Sequence, residues 1–401
     1  MRRCKTKLLS GVLKFALITA GASTMVPATL VAHMDPAFYQ AAPEAVIGAP
    51  GSIVRTEPMR GAPLGASAYR VLYRSTDPSN HPILVSGVVV IPAGTPPKEG
   101  RPIVAWAHPT TGVVSRCAPS QARFVFQTMM GLRDMVRRGY MVVATDYPGL
   151  GTPGPHPYLV GSSEARAVLD AVRAAKNLPQ ASAGDRYAIW GHSQGGQAAL
   201  FAGAMAKTYA PELQLVGVAV AAPATDLQTL LRDDADTDGG RNITAMTLWS
   251  WSQLFHMPLD NVIEPGAMPA VDALSNECIE SPIDMLERNR SQRPLRQQFL
   301  RVDDITRVEP WRSLLLENIP GTLPADIPVF VAQGDADRLV LPAVTQAYVK
   351  RLCYAGSKVQ YLSLPGVKHG WAGADGALPA IAWIADRFDG VPAPDSCANM
   401  R

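Results

Sequence analysis

The stretch Tyr187-Ala188-Ile189-Trp190-Gly191-His192-Ser193-Gln194-Gly195 decides the fold of this chain. A short apolar run, typical of a buried strand, leads into Gly-x-Ser-x-Gly, and the alanine-rich residues 197–207 that follow are typical of a helix. In such a strand, turn and helix, the two glycines permit a tight turn that exposes the Ser193 hydroxyl. The next backbone N–H then lies at a helix N-terminus. The motif also occurs by chance, so its interpretation depends on the rest of the chain.

Strand and helix patterns alternate on both sides of this motif. Strands are predicted at 69–75, 83–91, 103–108, 141–145, 215–221, 328–333 and 359–364, and helices at 121–138, 163–176, 342–353 and 374–388. Residues 33–66 are rich in proline, glycine and alanine and are expected to cover the surface. The alternation predicts an α/β-hydrolase fold, a mostly parallel sheet with helices on both faces.

The alternation stops between residues 224 and 324, where only helical patches and polar turns occur. We therefore expect residues 33–223 and 325–401 to form one catalytic domain. Residues 224–324 are expected to form a helical cap or lid insertion over the C-terminal edge of the sheet, where open α/β sheets place their sites.

The N-terminal residues 1–32 are typical of a signal peptide. Basic residues precede an apolar run over 8–22, and small residues follow, so cleavage is expected near residues 22–32. An uncleaved membrane anchor is the alternative, and no other segment is long and apolar enough to span a membrane. Removing the five basic residues of this segment changes the formal charge from +3 to −2, which gives no support for nucleic-acid binding. The protein is expected to be extracellular or periplasmic.

The remaining cysteines, Cys117, Cys278, Cys353 and Cys397, are an even number in an exported chain and predict two disulfides, with three pairings possible. They do not form a Cys-x-x-Cys pair, which argues against a zinc site. The acidic run 234–239 copies half of a calcium loop but lacks its closing glutamate. We expect neither a metal nor an organic cofactor.

A serine nucleophile needs a histidine base that is oriented by a carboxylate, and in this fold they follow the serine in the order Asp or Glu, then His. Of the seven histidines, His369 comes after a late predicted strand, in a loop rich in proline and glycine. Two carboxylates follow the strand before it. Asp337 is the favoured partner of His369, and Asp335 is expected to cap the turn. The predicted triad is Ser193, His369 and Asp337.

An oxyanion formed at the substrate carbonyl needs two N–H donors. The backbone of Gln194, directly after the serine, provides the first. The second is expected from the loop after the strand at 103–108, which reads His108-Pro109-Thr110-Thr111-Gly112.

This loop also carries a resemblance. With Cys117-Ala118-Pro119-Ser120 and the run Asp146-Tyr147-Pro148-Gly149-Leu150-Gly151, it resembles the secretory lipase family, the fungal lipase A enzymes and their bacterial relatives. The resemblance covers about residues 35–400. It implies the same triad, Thr111 and Gln194 as oxyanion donors, and the disulfides Cys117–Cys278 and Cys353–Cys397.

We therefore expect a secreted serine hydrolase that cleaves carboxylic esters through an acyl-enzyme, with acylglycerols as the first candidate substrate and transient contact with a lipid interface. A short-chain or non-lipid carboxylesterase, or an acyltransferase, with the same triad is the nearest alternative. A prolyl-oligopeptidase-type peptidase is less favoured because too few residues precede the sheet for a propeller. A protein that uses the same fold only to bind a ligand is expected to lack at least one member of the triad.

Overall fold

The structure, a computed structural model, describes residues 36–280 and 282–400, and the predicted signal peptide lies outside them. The described residues form one nine-stranded sheet, whose strands are β1 (Ile53–Met59), β2 (Ala66–Thr76), β3 (Pro82–Pro92), β4 (Arg101–Ala107), β5 (Met141–Thr145), β6 (Ala183–His192), β7 (Gln214–Ala221), β8 (Val329–Gly334) and β9 (Val359–Leu364). Their order is β1-β2-β3-β5-β4-β6-β7-β8-β9. The pairs β1–β2, β2–β3 and β3–β5 are antiparallel. The pairs β5–β4, β4–β6, β6–β7, β7–β8 and β8–β9 are parallel. The predicted mostly parallel sheet is confirmed.

The helices of the described residues are α1 (Pro36–Tyr39), α2 (Val125–Thr128), α3 (Leu132–Arg137), α4 (Gly161–Lys176), α5 (Gln194–Tyr209), α6 (Leu227–Asp233), α7 (Asp238–Phe255), α8 (Met268–Ser275), α9 (Pro282–Ser291), α10 (Trp311–Glu317), α11 (Pro342–Tyr354) and α12 (His369–Phe388). Helices α4, α5 and α11 pack on one face of the sheet, and α3 and α12 pack on the other. Along β4, Ile103 and Ala105 belong to the first core, whereas Val104 and Trp106 belong to the second. Central strands are buried on both faces, which is why they have continuous apolar sequences rather than alternating ones.

Between β7 and β8 the described residues form helices α6 to α10 and one isolated bridge between Ile263 and Leu300. These helices contribute to a third core, which includes Leu248, Trp251 and Trp311 and also Tyr158 and Val340 from outside this segment. The interruption of the strand–helix alternation therefore occurs where the sequence predicts it. The exact limits of a cap, and its action as a lid, stay predictions.

Two predictions of secondary structure are wrong, and one strand is not predicted. Residues 53–59, part of the segment expected to cover the surface, form edge strand β1, whose half-exposed pattern and Pro58 are tolerated because only β2 pairs with it. The helix predicted at 121–138 is two short helices, because the chain turns at Gly131 with a φ of +80°. Helix α12 begins at His369 rather than near residue 374, so this histidine lies in the first turn of a helix and not in a loop.

The structure contains both disulfides that the resemblance implies, Cys117–Cys278 and Cys353–Cys397. The first ties the loop after β4 to the segment between α8 and α9. The second ties the end of α11 to the C-terminal residues. Each therefore closes a segment that carries or adjoins the candidate site.

Candidate active site

The turn between β6 and α5 lifts Ser193 out of the sheet. Its backbone has φ of +57° and ψ of −118°, a conformation that non-glycine residues rarely adopt. The flanking glycines are required by space: a Cβ on Gly191 would lie 2.2 Å from the carbonyl oxygen of Gly195. A Cβ on Gly195 would lie 2.0 Å from the carbonyl oxygen of Ala107. The sequence therefore forms a strained turn that only glycines at these two positions permit.

Ser193, His369 and Asp337 lie in one hydrogen-bonded chain. The distance from His369 Nε2 to Ser193 Oγ is 2.8 Å, and that from His369 Nδ1 to Asp337 Oδ2 is also 2.8 Å. A carboxylate only accepts hydrogen bonds, so Nδ1–H donates to Asp337 and Nε2 is left to accept from the serine hydroxyl. These are the protonation states that a serine nucleophile and its base require.

Asp337 is fixed and kept ionised by its surroundings. Its side chain is buried, and Oδ1 accepts the backbone N–H groups of Leu339 and Val340, both at 2.9 Å, while Gln333 donates to Oδ2 at 3.2 Å. Burial alone would raise the pKa of Asp337. The hydrogen bond and charge of His369 and the two backbone N–H bonds outweigh burial, so the pKa lies below its ordinary value. The alternative carboxylate, Asp335, is exposed and accepts the backbone N–H of Gly366, as a turn-capping residue does.

A second histidine supports the first. His192 Nε2–H donates to the backbone carbonyl of His369 at 3.0 Å. Burial, followed by the charge of His369, lowers the pKa of His192 to about 3, so this ring is neutral over the working range of most enzymes. Burial also lowers the pKa of His108 to about 4 and that of His156 to about 3, which makes both poor bases.

The two oxyanion candidates are placed differently. Gln194, the first residue of α5, lines a cavity with Ser193. Ser193 lines two cavities, and Thr111 lines neither of them. The Thr111 hydroxyl donates instead to the carbonyl of Cys117 at 2.9 Å. The neighbouring Thr110 lines both cavities, and its hydroxyl is 2.9 Å from that of Tyr158.

The side chain of Gln194 belongs to a buried polar cluster that the sequence did not reveal. Gln194 Nε2 donates to Glu164 Oε1 at 2.7 Å and lies 3.2 Å from Nε2 of His156, whose Nδ1–H donates to the carbonyl of Pro148. Burial raises the pKa of Glu164 to about 8. Glu164 is one of the few polar residues on the mostly apolar buried face of α4, and this is the sequence signal of the cluster.

Two cavities meet at Ser193. The inner cavity has a volume of about 30 Å³ and is mostly apolar, with walls from Leu227, Leu230, Leu231, Ile243 and Leu339 and with Asp234 in its lining. The outer cavity has a volume of about 470 Å³, and His369 lines it together with methionines and with the polar side chains of Asn242, Arg288 and Gln292. Residues of α6 line the inner cavity, residues of α9 line the outer one, and residues of α7 line both.

The sheet order, the strained serine turn and the linked serine, histidine and aspartate define the chain as an α/β-hydrolase. The model of the secretory lipase family matches residues 119–396, and the chain belongs to that family. This makes the chain a carboxylic-ester hydrolase of the lipase and esterase type, and membership of a secretory family confirms the predicted export. No helix within residues 36–280 and 282–400 is long and apolar enough to cross a membrane.

Three proteins to which the chain is similar are distant from it in sequence. Lipase A of Moesziomyces aphidis is 25% identical over 360 residues, which cover 83% of this chain and 75% of that protein. A protein of Mycobacterium tuberculosis (strain CDC 1551 / Oshkosh) described as a probable inactive lipase is 24% identical over 384 residues, which cover 90% and 82%. The solved structure of Candida antarctica lipase A matches with a TM-score of 0.75 at 21% identity, over 91% of this chain and 88% of that one, which is a likeness of fold.

Proposed function

We propose that this protein is a secreted serine hydrolase of the lipase type, with Ser193 as nucleophile, His369 as general base and acid, and Asp337 as the carboxylate that orients the histidine. The observation that carries the proposal is the hydrogen-bonded chain from Ser193 Oγ through both ring nitrogens of His369 to Asp337. Because one relative is described as a probable inactive lipase, the intact chain of hydrogen bonds supports the proposal more strongly than family membership alone.

The reaction proceeds in two halves. Ser193 Oγ attacks the ester carbonyl carbon while its proton moves to Nε2 of His369, and the resulting tetrahedral oxyanion collapses as Nε2–H protonates the leaving alcohol. Water then attacks the acyl-enzyme with His369 as base, and the carboxylic acid leaves as Ser193 regains its proton. Asp337 keeps Nδ1 protonated and stabilises the imidazolium in both halves.

We assign the oxyanion donors to the backbone N–H of Gln194 and to the side-chain hydroxyl of Thr110. This moves the second donor one residue from Thr111, because Thr110 lines both cavities that Ser193 lines. One such donor is worth about 3 kcal/mol in the transition state. Replacing Thr110 by valine is expected to lower kcat more than replacing Thr111 by valine, and equal effects would overturn the assignment.

The position of His369 separates the acyl side of the site from the alcohol side. The leaving alcohol takes its proton from His369, so it must occupy the outer cavity, which His369 lines. We therefore expect the acyl chain to enter the inner cavity, whose lining includes Ser193 and is mostly apolar. Since α6, α7 and α9 supply walls of both cavities, the segment 224–324 acts as a cap over the site.

An ester with a short acyl chain and a polar alcohol is a second candidate substrate. The modest inner cavity and the polar side chains of the outer cavity favour it over a triacylglycerol. Rates on nitrophenyl esters of increasing acyl length, and on emulsified triacylglycerol, separate the two. Activity on the emulsion supports the lipase proposal, whereas rates that peak at acetyl or butyryl esters with no activity on the emulsion contradict it.

A further inference from the structure

The lining of the inner cavity includes one carboxylic acid residue, which the hydrolytic mechanism does not use. Asp234 directly follows α6, is 3% exposed, and lines this cavity together with Ser193. Its backbone is held tightly, because a Cβ on Gly240 would lie 2.0 Å from the Asp234 carbonyl oxygen. An acidic residue with a tightly packed backbone therefore lies in a wall that is mostly apolar.

This carboxyl has no partner within residues 36–280 and 282–400: none of them donates a hydrogen bond to it, and no cation pairs with it. Its neighbour Asp233, by contrast, pairs with Arg232 and lies outside the inner cavity. Burial, followed by the charges of Asp233 and Asp337, raises the pKa of Asp234 to about 7, although the charge of His369 opposes this. Near neutral pH the group is thus able both to donate and to accept a hydrogen bond.

We propose that Asp234 is a specificity-determining residue, which selects acyl groups that carry a hydrogen-bonding group such as a hydroxyl over plain alkyl chains. This inference rests on the proposed function, since it assumes that the inner cavity receives the acyl chain. Hydroxylated acyl esters are the substrate class that it names.

The physical reason is the cost of covering an unpaired polar group. A plain alkyl chain displaces water from the Asp234 carboxyl and offers no hydrogen bond in return, so the buried group is left unsatisfied. A hydroxyl on the acyl chain supplies the missing hydrogen-bond partner, whether the Asp234 carboxyl is protonated or ionised. Sites that are built to hydrogen-bond a substrate hydroxyl discriminate strongly against analogues that lack it.

The test compares pairs of methyl esters in which a hydroxyl replaces a terminal methyl group: 3-hydroxypropanoate with butanoate, 6-hydroxyhexanoate with heptanoate, and 8-hydroxyoctanoate with nonanoate. The rate of acid release gives kcat/KM for each, and the ratio within a pair is the readout. In at least one pair the wild type is expected to favour the hydroxy ester. Asp234→Leu is expected to lower that ratio at least tenfold, and Asp234→Asn, which keeps hydrogen-bonding capacity, to retain most of it.

Asp233→Leu is the matched control, because it removes the adjacent carboxylate outside the cavity and should leave the ratio unchanged. If Asp234→Leu does not fold, Asp234→Ala removes the carboxyl without adding volume and takes its place. Equal ratios in the wild type and in these variants for all three pairs would overturn the role of Asp234 and leave the hydrolase intact. A wild type that cleaves none of the six esters and does not react with a fluorophosphonate would overturn the proposed function itself, and this inference with it.

Discussion

Replacing Asp337 by asparagine tests the orientation of His369. Oδ1 of Asp337 accepts two backbone N–H groups, from Leu339 and Val340. An asparagine must keep its oxygen there, which turns its NH₂ group toward Nδ1 of His369. Nδ1 then becomes the acceptor, Nε2 carries the proton, and the ring no longer accepts from Ser193.

The size of the effect follows from the same contacts. The flipped amide, with its oxygen toward His369, loses two backbone hydrogen bonds of about 1 kcal/mol each but regains the hydrogen bond of Gln333, which makes it about fivefold rarer. A neutral amide also stabilises the imidazolium less than a carboxylate does. Together these effects predict a fall in kcat of about 10³–10⁴, as in other serine triads, with KM changed little.

The assay is steady-state hydrolysis of a soluble short-chain ester by Asp337→Asn, with thermal unfolding measured to show that the variant is folded. Asp335→Asn is the control, because Asp335 is exposed and bonds only to the backbone of Gly366 in this loop. It is expected to change kcat by less than about threefold. A folded Asp337→Asn enzyme that retains more than a tenth of the wild-type kcat would refute the reasoning.

Three further predictions concern stability. The folded-state pKa of Glu164 lies near 8, above its unfolded value. Protonated Glu164 therefore stabilises the folded protein at low pH, and this stabilisation is lost as pH rises toward 8. Glu164→Gln should therefore gain stability relative to wild type across this window, by about 1.4 kcal/mol per pH unit at most, and a pH-independent difference in chemical unfolding would contradict this. Replacing both Cys117 and Cys278 by serine should cost about 5 kcal/mol, from a loop of 161 residues, and an unchanged unfolding midpoint would contradict that estimate. Gly195→Ala should fail to fold or lose activity, whereas Gly321→Ala, with no atom within 4 Å of its added Cβ, should match wild type in both; equal behaviour of the two variants would refute the steric argument.

The parts of the fold that the sequence predicts are those that are encoded locally. The central strands are recognisable because burial on both faces demands continuous apolar runs, and the triad is recognisable because each member lies in the connection that follows a strand. Edge strand β1 escapes prediction because one partner and half-exposure leave it a mixed sequence that includes Pro58. The break at Gly131 depends on the backbone conformation of a single residue, which composition does not reveal.

The details of the site depend on contacts between residues far apart in the sequence. Thr110 and Thr111 are adjacent and chemically identical, and only the path of the loop decides which one lies beside Ser193. Asp234 resembles any other member of an acidic run until α6 and α7 place it in a cavity. Glu164 is recognisable as unusual only once its helix is packed against Gln194.

The central claim is that Ser193 is an activated nucleophile, and reaction with a fluorophosphonate measures this most directly. We predict one covalent adduct per chain, located on Ser193 by peptide mass analysis, absent in Ser193→Ala, and formed much more slowly in His369→Ala. A folded wild-type protein that forms no adduct, or forms it on another residue, would contradict the account.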